Sequence, residues 1–355
     1  MIAAVRTKRE PMTTEATSAP TMSDASGQRG GLRSDGGVEV GRFTLPYSDL
    51  ASDAAREAFI KVINPPPPEV GGDVLALRAH YAKQNQRLAD RMLEMFDVVV
   101  REDRIGGVRV HRVSPAQVWP ENSGRVLVCL HGGAFAWGAD SGALVEAIPI
   151  ADRMGMEVIA VDYRLAPEHR FPAASEDVAA VYRELIGRHA PEAIGIYGCS
   201  AGGVLTAQAL AWFAKTKLPR PGAVAILGAG GGDMRGDAPH LTPALEGYGQ
   251  PAGEPPRLAG LDYFAGASLE DPCVFPGDHP AVLSRFPPTL VIAGGRDFAA
   301  SSATNLHLKL DEAGVETRLF VFDGLWHAFH VYPELPESQQ VYRILARFFD
   351  HHLAA

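Results

Sequence analysis

The stretch that decides how the chain folds is IYGCSAGG, residues 196–203. An apolar run typical of a buried strand ends there at a Gly-x-Ser-x-Gly pattern, and a small-residue helical run begins at once. The order strand, sharp turn and helix puts Ser200 at the apex of the turn, with its hydroxyl directed away from the sheet. We therefore consider Ser200 a candidate nucleophile, although the pattern alone is also compatible with an incidental serine in a glycine-rich turn.

Composition limits the class of protein and of ligand. A content of 46% hydrophobic and 21% charged residues in a chain of 355 is ordinary for a globular protein with a sizeable core. The formal net charge of -9 argues against a nucleic-acid or an anionic-membrane partner, because both select basic patches. We expect a small neutral or apolar ligand instead.

Two further features predict a cytoplasmic protein. No apolar run approaches the ~18 residues of a membrane span, and charges interrupt the N-terminal MIAAVRTKREP before a signal-peptide core could form. The three cysteines, Cys129, Cys199 and Cys273, are odd in number and widely spaced, so they suggest neither a disulfide framework nor a metal site. A reducing compartment is therefore expected.

The N-terminal part of the chain divides into a tail and a helical segment. Residues 1–40 are rich in small and polar residues without any period, which predicts a disordered tail. Residues 41–95 are predicted to form a helical cap. Its first helix opens at a Ser48 or Asp49 cap and ends before a run of four prolines at 65–68, and its second helix covers about 74–95.

Strand and helix patterns alternate over residues 96–355, which we assign to a catalytic domain. A predicted hairpin, FDVVVRED with GGVRVHRVSP, precedes the runs RVLVCLH, EVIAVDY, AIGIYG, GAVAILG, TLVIAG and ETRLFVFDG. The alternation predicts an α/β fold with a mostly parallel central sheet, helices on both faces and functional residues at the carboxyl ends of the strands. Residues 230–286 interrupt it with many Gly and Pro residues and one predicted helix near 257–265, and we assign them to the wall of a substrate site.

The segment HGGAF, residues 131–135, follows the strand RVLVCLH. Acyl transfer places negative charge on a carbonyl oxygen, and backbone N–H groups at a glycine turn can stabilise that charge. A plain glycine turn is the alternative, but the position upstream of the Ser200 turn favours an oxyanion loop. The predicted donors are the N–H groups of Gly132, Gly133, Ala134 and Ala201, and His131 is interpreted as a structural brace.

A serine nucleophile needs a base, and the base needs an orienting carboxylate. Asp297 directly follows the strand TLVIAG, and His327 lies in the loop after the last strand. The order Ser200, Asp297, His327 is the order found in hydrolases with this strand–turn–helix nucleophile. Asp278 and His330 are the competing acid and base.

The segment DYRLAPEHRFPAA, residues 162–174, also follows a strand, but we assign no catalytic role to it. Its charged residues Asp162, Arg164 and Glu168 are expected to form a paired network under the oxyanion loop, because buried charges persist only when they are paired.

Together, HGGAF, DYRLAPEHRFPAA, GCSAGG, the Asp297 segment and GLWHAFH resemble the bacterial hormone-sensitive-lipase family (family IV) of α/β-hydrolase carboxylesterases. The resemblance runs from about residue 96 to the C-terminus, and the helical segment before it is similar only in kind. It implies a helical cap over the site, hydrolysis of short-to-medium acyl esters, no metal or organic cofactor, and a homodimer. By position it implies these roles: Ser200 as nucleophile, His327 as base, Asp297 as orienting acid, and Gly133, Ala134 and Ala201 as oxyanion donors.

The chain departs from the family pattern at four places. Ala134 replaces the third glycine of HGGG, and Cys199 stands where Asp or Thr is common before the nucleophile. FAASS lacks the second Asp that often follows the acid, and LGAGGGDMRGD replaces the usual Ser-Pro-Trp-type segment. These differences concern substrate shape, pH profile and dimer contacts rather than the catalytic residues. Cys199 is interpreted as a small buried filler.

We interpret the chain as a serine carboxylesterase, with three alternatives. An amide or formamide hydrolase would use the same triad. A true lipase would prefer long-chain emulsified esters. A non-catalytic small-molecule binder on the same fold would be expected to lack a triad member, and none is missing here.

Overall fold

The computed structural model describes residues 31–39, 44–63, 72–247, 254–255 and 257–354. The chain divides into two compact units, residues 1–46 and 47–355. In the first unit, Leu32 and Val38 form an antiparallel bridge. Most of the predicted tail and the proline run at 65–68 lie outside the described residues.

The second unit contains the helices and the strands of the sheet. Its helices in chain order are α1 (Asp53–Ile63), α2 (Val74–Met95), α3 (Ser141–Met154), α4 (Ala173–Leu185), α5 (Ala201–Thr216), α6 (Ala238–Leu245), α7 (Pro280–Leu283), α8 (Ala300–Glu312) and α9 (Pro336–His352). Its strands are β1 (Val98–Ile105), β2 (Val108–Pro115), β3 (Val126–Leu130), β4 (Val158–Val161), β5 (Ile194–Cys199), β6 (Ala223–Leu227), β7 (Thr289–Gly294) and β8 (Thr317–Phe322).

The eight strands form one sheet in the order β1-β2-β4-β3-β5-β6-β7-β8. β2 pairs antiparallel with both β1 and β4, and every other pairing is parallel. The prediction of a mostly parallel sheet is therefore confirmed. Because β3, β5, β6 and β7 run in the same direction side by side, the loops at their carboxyl ends meet at one edge of the sheet.

Helices cover both faces of the sheet, as the apolar strand runs predict. Every residue of β3, β5, β6 and β7 is buried. Alternate side chains of each strand join two separate hydrophobic clusters, as expected from the two-residue repeat of a strand. α4, α5 and α8 pack into one cluster, and α3 and α9, with parts of α1 and α2, pack into the other.

Close packing of α5 against β3 depends on glycine. A Cβ atom at Gly202 would overlap the backbone carbonyl oxygen of Leu130, and one at Gly198 would lie 2.5 Å from that same oxygen. Since backbone atoms cannot move aside as a flexible side chain can, only glycine is compatible with this approach. The helix can therefore start directly after β5, which fixes the position of Ser200 between them.

Two predicted elements differ from the structure. α1 begins at Asp53 rather than after Ser48 or Asp49, because the Ser52 hydroxyl accepts the N–H of Ala55 and its backbone N–H donates to Glu337. The helix predicted near 257–265 is instead two 3₁₀ turns, Leu258–Gly260 and Asp262–Phe264. An extended residue separates the turns, and the second one directs two aromatic rings into the core.

No helix within the described ranges is both long and apolar enough to span a membrane. The three cysteines, Cys129, Cys199 and Cys273, are buried and carry free thiols.

We expect Gly202→Ala to lower the free energy of unfolding by about 1–3 kcal/mol, because the added methyl group forces α5 away from β3. Gly124→Ala is the matched control, since Gly124 is exposed and an added Cβ has no neighbour within 4 Å. Urea unfolding of both variants measures the difference. Equal stabilities would contradict the packing argument.

Candidate active site

Ser200 lies at the junction of β5 and α5 in a strained backbone conformation, with φ 56° and ψ -121°. A positive φ is rare for a residue with a side chain and persists only when its surroundings enforce it. Here the N–H of Ser200 donates to the carbonyl oxygen of Leu227 at 2.8 Å, and its own carbonyl accepts the N–H of Val204 at 3.0 Å. The predicted strand–turn–helix is thus present, with Ser200 between its two regular elements.

Asp297 and His327 form a hydrogen-bonded pair. Asp297 follows β7 and is 1% exposed, and its Oδ1 lies 2.8 Å from Nδ1 of His327 in the loop after β8. The same oxygen accepts the N–H of Ala299 at 2.8 Å, which fixes the carboxylate. The Phe298 ring stacks on the imidazole with a centroid distance of 4.2 Å. Since Nδ1 is engaged with Asp297, Nε2 of His327 is left for another partner.

The end of β6 connects this pair to the Ser200 turn. Leu227 accepts the N–H of Ser200, and the next residue, Gly228, packs against the pair. A Cβ at Gly228 would lie 3.1 Å from Oδ2 of Asp297 and 3.1 Å from Cε1 of His327. The structure therefore gathers Ser200, Asp297 and His327 around the same strand end.

The Asp297 carboxylate changes the acid–base behaviour of His327. Burial by itself lowers the pKa of His327, but the charge of Asp297 and the hydrogen bond to it outweigh burial, so the pKa lies above its ordinary value. The carboxyl of Glu246, at the end of α6, acts in the same direction. An imidazolium at this position is consequently stabilised.

The HGGAF loop has an unusual backbone. Gly133, Ala134 and Phe135 all have positive φ, and the carbonyl of Gly133 accepts the N–H of Trp137 at 3.0 Å. Among the described residues, no acceptor is found for the N–H groups of Gly133, Ala134 and, at the start of α5, Ala201. These three predicted donors are therefore available to a ligand.

Gly132, the fourth predicted donor, is already engaged. Its N–H donates to Oε1 of Glu146 on α3 at 2.9 Å. We therefore leave Gly132 out of the set of donors that could contact a ligand.

Helix α2 holds the HGGAF loop through contacts that the sequence did not reveal. Nε of Arg78 donates to the carbonyl of Ala136 at 2.7 Å, and its Nη2 donates to the carbonyl of Ala166 at 2.8 Å. The same guanidinium makes a bidentate pair with Glu168 at 2.8 and 2.7 Å. Tyr81, one helical turn further, stacks on Trp137. An arginine on a helix of mixed polarity gives no sequence signal for such a role.

His131 and the charges of the 162–174 segment have partners. His131 is fully buried and stacks on Tyr163, whose hydroxyl donates to the carbonyl of His131 at 2.7 Å, in line with a bracing role. Asp162 lies 2.7 Å from Arg109 and accepts the N–H of Asp140, while Arg164 pairs with Asp177 at 2.9 Å. The charges are paired as predicted, but with residues outside the segment rather than with one another.

The competing residues lie in different surroundings. Asp278 pairs with Lys309 at 2.9 Å and borders a separate cavity of about 330 Å³. His330 is buried, and burial together with the charge of His327 lowers its pKa to about 4. Among the described residues, neither Asp278 nor His330 takes part in a carboxylate–imidazole hydrogen bond like that between Asp297 and His327.

The predicted wall segment, 230–286, reaches the oxyanion loop. The Tyr263 ring stacks on Phe135 with a centroid distance of 4.1 Å, and Gln208 of α5 donates to the carbonyl of Val274. The assignment of the whole segment to a substrate wall stays a prediction.

We assign no metal to the clusters of polar side chains. In the cluster of His111, Asp140 and Asp162, the guanidinium of Arg109 already lies within ion-pair distance of both carboxylates, so a positive charge is in place.

Comparisons with known proteins agree with this geometry. The alpha/beta hydrolase fold family matches residues 127–331. An acetyl-hydrolase of Streptomyces hygroscopicus is 28% identical over 78% of this chain and 90% of its own length. The putative acetyl-hydrolase LipR of Mycobacterium tuberculosis is 30% identical over 70% of this chain and 79% of its length. The crystal structure of esterase E25 is 28% identical, covers 89% of this chain and 99% of its own, and superposes with a TM-score of 0.75. The chain therefore belongs to the α/β-hydrolase fold family.

Proposed function

We propose that this carboxylic ester hydrolase cleaves esters with short-to-medium acyl chains through an acyl-enzyme on Ser200. The observation that carries the proposal is the hydrogen-bonded Asp297–His327 pair, packed against the strand end that also binds the backbone of Ser200. Relatives named acetyl-hydrolase and esterase support ester hydrolysis in general.

In the proposed reaction, Nε2 of His327 takes the proton of the Ser200 hydroxyl as the oxygen attacks the ester carbonyl. The imidazolium that forms is stabilised by Asp297 and then protonates the departing alcohol. Water, activated by the same imidazole, hydrolyses the acyl-enzyme and releases the acid. No metal or organic cofactor is invoked.

The negative charge on the carbonyl oxygen is proposed to be held by the N–H groups of Gly133, Ala134 and Ala201. Their lack of other acceptors among the described residues supports this role. Donors that are already oriented need no reorganisation during the reaction, which makes them more effective than water. The homodimer and the cytoplasmic location stay predictions.

The first test is Ser200→Ala on a series of p-nitrophenyl esters from acetyl to palmitoyl. We expect the variant to lose activity by roughly 10³-fold or more, since no other group can form the acyl-enzyme. Ser123→Ala, which removes an exposed serine hydroxyl far along the chain from the site, is the matched control. The acyl-chain length at which wild-type activity falls measures the depth of the acyl pocket. Anilides with the same acyl groups test the amide-hydrolase alternative. If Ser200→Ala hydrolyses the esters as fast as the wild type does, the proposed mechanism is wrong.

The second test is the pH profile of Asp297→Asn. Because His327 acts as a base only when neutral, wild-type activity is expected to fall as the pH decreases through the raised pKa of His327. Removing the Asp297 charge leaves burial as the main influence, so the acid limb moves to lower pH while kcat falls about 10³- to 10⁴-fold. Asp311→Asn, an exposed change on α8, is the control. If the acid limb of the pH profile shifts in Asp278→Asn and not in Asp297→Asn, Asp278 rather than Asp297 is the carboxylate that orients His327.

The third test concerns the attachment of the oxyanion loop to α2. Arg78→Ala removes the hydrogen bonds to the carbonyls of Ala136 and Ala166 and the pair with Glu168. We expect kcat to fall about tenfold with little change in KM, because a displaced loop affects the transition state more than the bound ester. Arg87→Ala, exposed on the same helix, is the control. A change in KM alone would show that α2 contacts substrate rather than holding the loop.

A further inference from the structure

Glu146 is a buried acid that the proposed mechanism does not use. It lies on α3 within the apolar run ALVEAIPIA and is 7% exposed. Its Oε1 accepts the N–H of Gly132, the residue directly before the proposed oxyanion donors, at 2.9 Å. A polar group buried in this way persists only with a hydrogen-bonding partner, and here the partner is the active-site backbone.

The carboxyl of Glu146 contacts the oxyanion loop and the Ser200 turn together. A Cβ at Gly132 would lie 3.4 Å from Cβ of Ser200 and 3.5 Å from Oε1 of Glu146, so Gly132 separates the acid from the nucleophile by a single residue. The backbone of Cys199 also lies close enough to the carboxyl to lower its pKa. A change in the charge of Glu146 consequently alters the electrostatic potential at the HGGAF loop and at the Ser200 turn.

Within the described ranges, no compensating cation faces this carboxyl. The groups that face it come from β3, the segment after β4, β5 and the loop after β8. They are Cys129, Tyr163, Tyr197, Cys199 and His330. The only one of these that could become a cation is His330, and burial together with His327 lowers its pKa to about 4. Among the described residues that face it, the carboxyl therefore accepts the N–H of Gly132 and otherwise has neutral neighbours.

An unpaired carboxylate is costly in such a place, whereas a carboxylic acid is not. Burial raises the pKa of Glu146 to about 8, although the hydrogen bond from Gly132 and the nearby backbone of Cys199 act in the opposite direction. At neutral pH the side chain therefore carries its proton.

We propose that Glu146 is a positioning residue that fixes the first peptide of the proposed oxyanion loop as an uncharged acid, and that loss of its proton in alkaline solution slows the reaction. This inference rests on the proposed function. During attack, negative charge develops on the substrate oxygen held by Gly133 and Ala134. A second negative charge behind Gly132 opposes it in a site with little water, where charges interact strongly. The uncharged acid keeps the hydrogen bond to Gly132 without this repulsion.

The experiment is the pH dependence of kcat for p-nitrophenyl acetate with the wild type and Glu146→Gln. Glutamine has the same shape, its carbonyl oxygen can accept the N–H of Gly132, and it cannot ionise. We expect the wild type to lose about tenfold in kcat as the pH rises through about 8, and Glu146→Gln to retain its neutral-pH kcat across this range. Glu184→Gln, an exposed change on α4, is expected to keep the wild-type alkaline limb.

A second measurement does not depend on the folding of the variant. In wild type labelled with ¹³C at the glutamate carboxyl carbons, two resonances should titrate well above the ordinary value of about 4.3. Burial raises the pKa of Glu246 to about 7 and that of Glu146 to about 8, so the resonance with the higher titration midpoint is expected to be that of Glu146. An alkaline limb that persists unchanged in Glu146→Gln would overturn the proposal, and so would the absence of a second raised carboxyl titration, near pH 8, beside that of Glu246. A wild type inactive on all esters would instead overturn the proposed function, so the two failures are distinguishable.

Discussion

The active-site turn depends on backbone approaching backbone without an intervening side chain. Gly202 lets the first turn of α5 lie on the carbonyl of Leu130, and Gly198 leaves room for the same contact from β5. Because β5 and α5 are both fixed, the residue between them, Ser200, is held at a positive φ. Such a conformation costs about 1–3 kcal/mol in isolation. Because β5 lies between β3 and β6, the loops that follow those two strands are the ones brought to Ser200. The rest of the site follows from this central position.

The HGGAF loop, which we propose as the oxyanion loop, is the least regular part of the site, and it is held from several directions. Three consecutive residues with positive φ, beginning at Gly133, form no regular hydrogen-bond ladder. Arg78 holds the outgoing side of the loop through the Ala136 carbonyl, Glu146 holds the incoming side through the Gly132 N–H, and Tyr163 supports His131. Fixed donors are useful in catalysis only if such a framework prevents them from turning to other acceptors. The number of contacts that hold this loop is therefore consistent with its proposed role.

The sequence predicted what depends on local pattern. Strand and helix periods gave the parallel sheet, and the ends of strands gave Asp297 and His327, which the structure joins by a hydrogen bond. The sequence did not predict features that depend on contacts between residues far apart in the chain. α1 starts late because Ser52 bonds Glu337, 285 positions away, and Arg78 reaches its carbonyl partners 58 and 88 positions away. Glu146 was overlooked, although a single acid within the apolar run ALVEAIPIA is a signal of a buried polar contact.

The attachment of α2 has a consequence for how relatives of this protein could diversify. The boundary predicted between residues 95 and 96 separates a cap from a catalytic domain, yet Arg78 and Tyr81 on the cap side support the loop on the other side. A chimera that takes this segment from a relative would replace Arg78 and Tyr81 together with the rest of the predicted cap. It would therefore lose part of the framework that holds the proposed oxyanion donors, and its turnover would change along with any change in the substrates that it accepts.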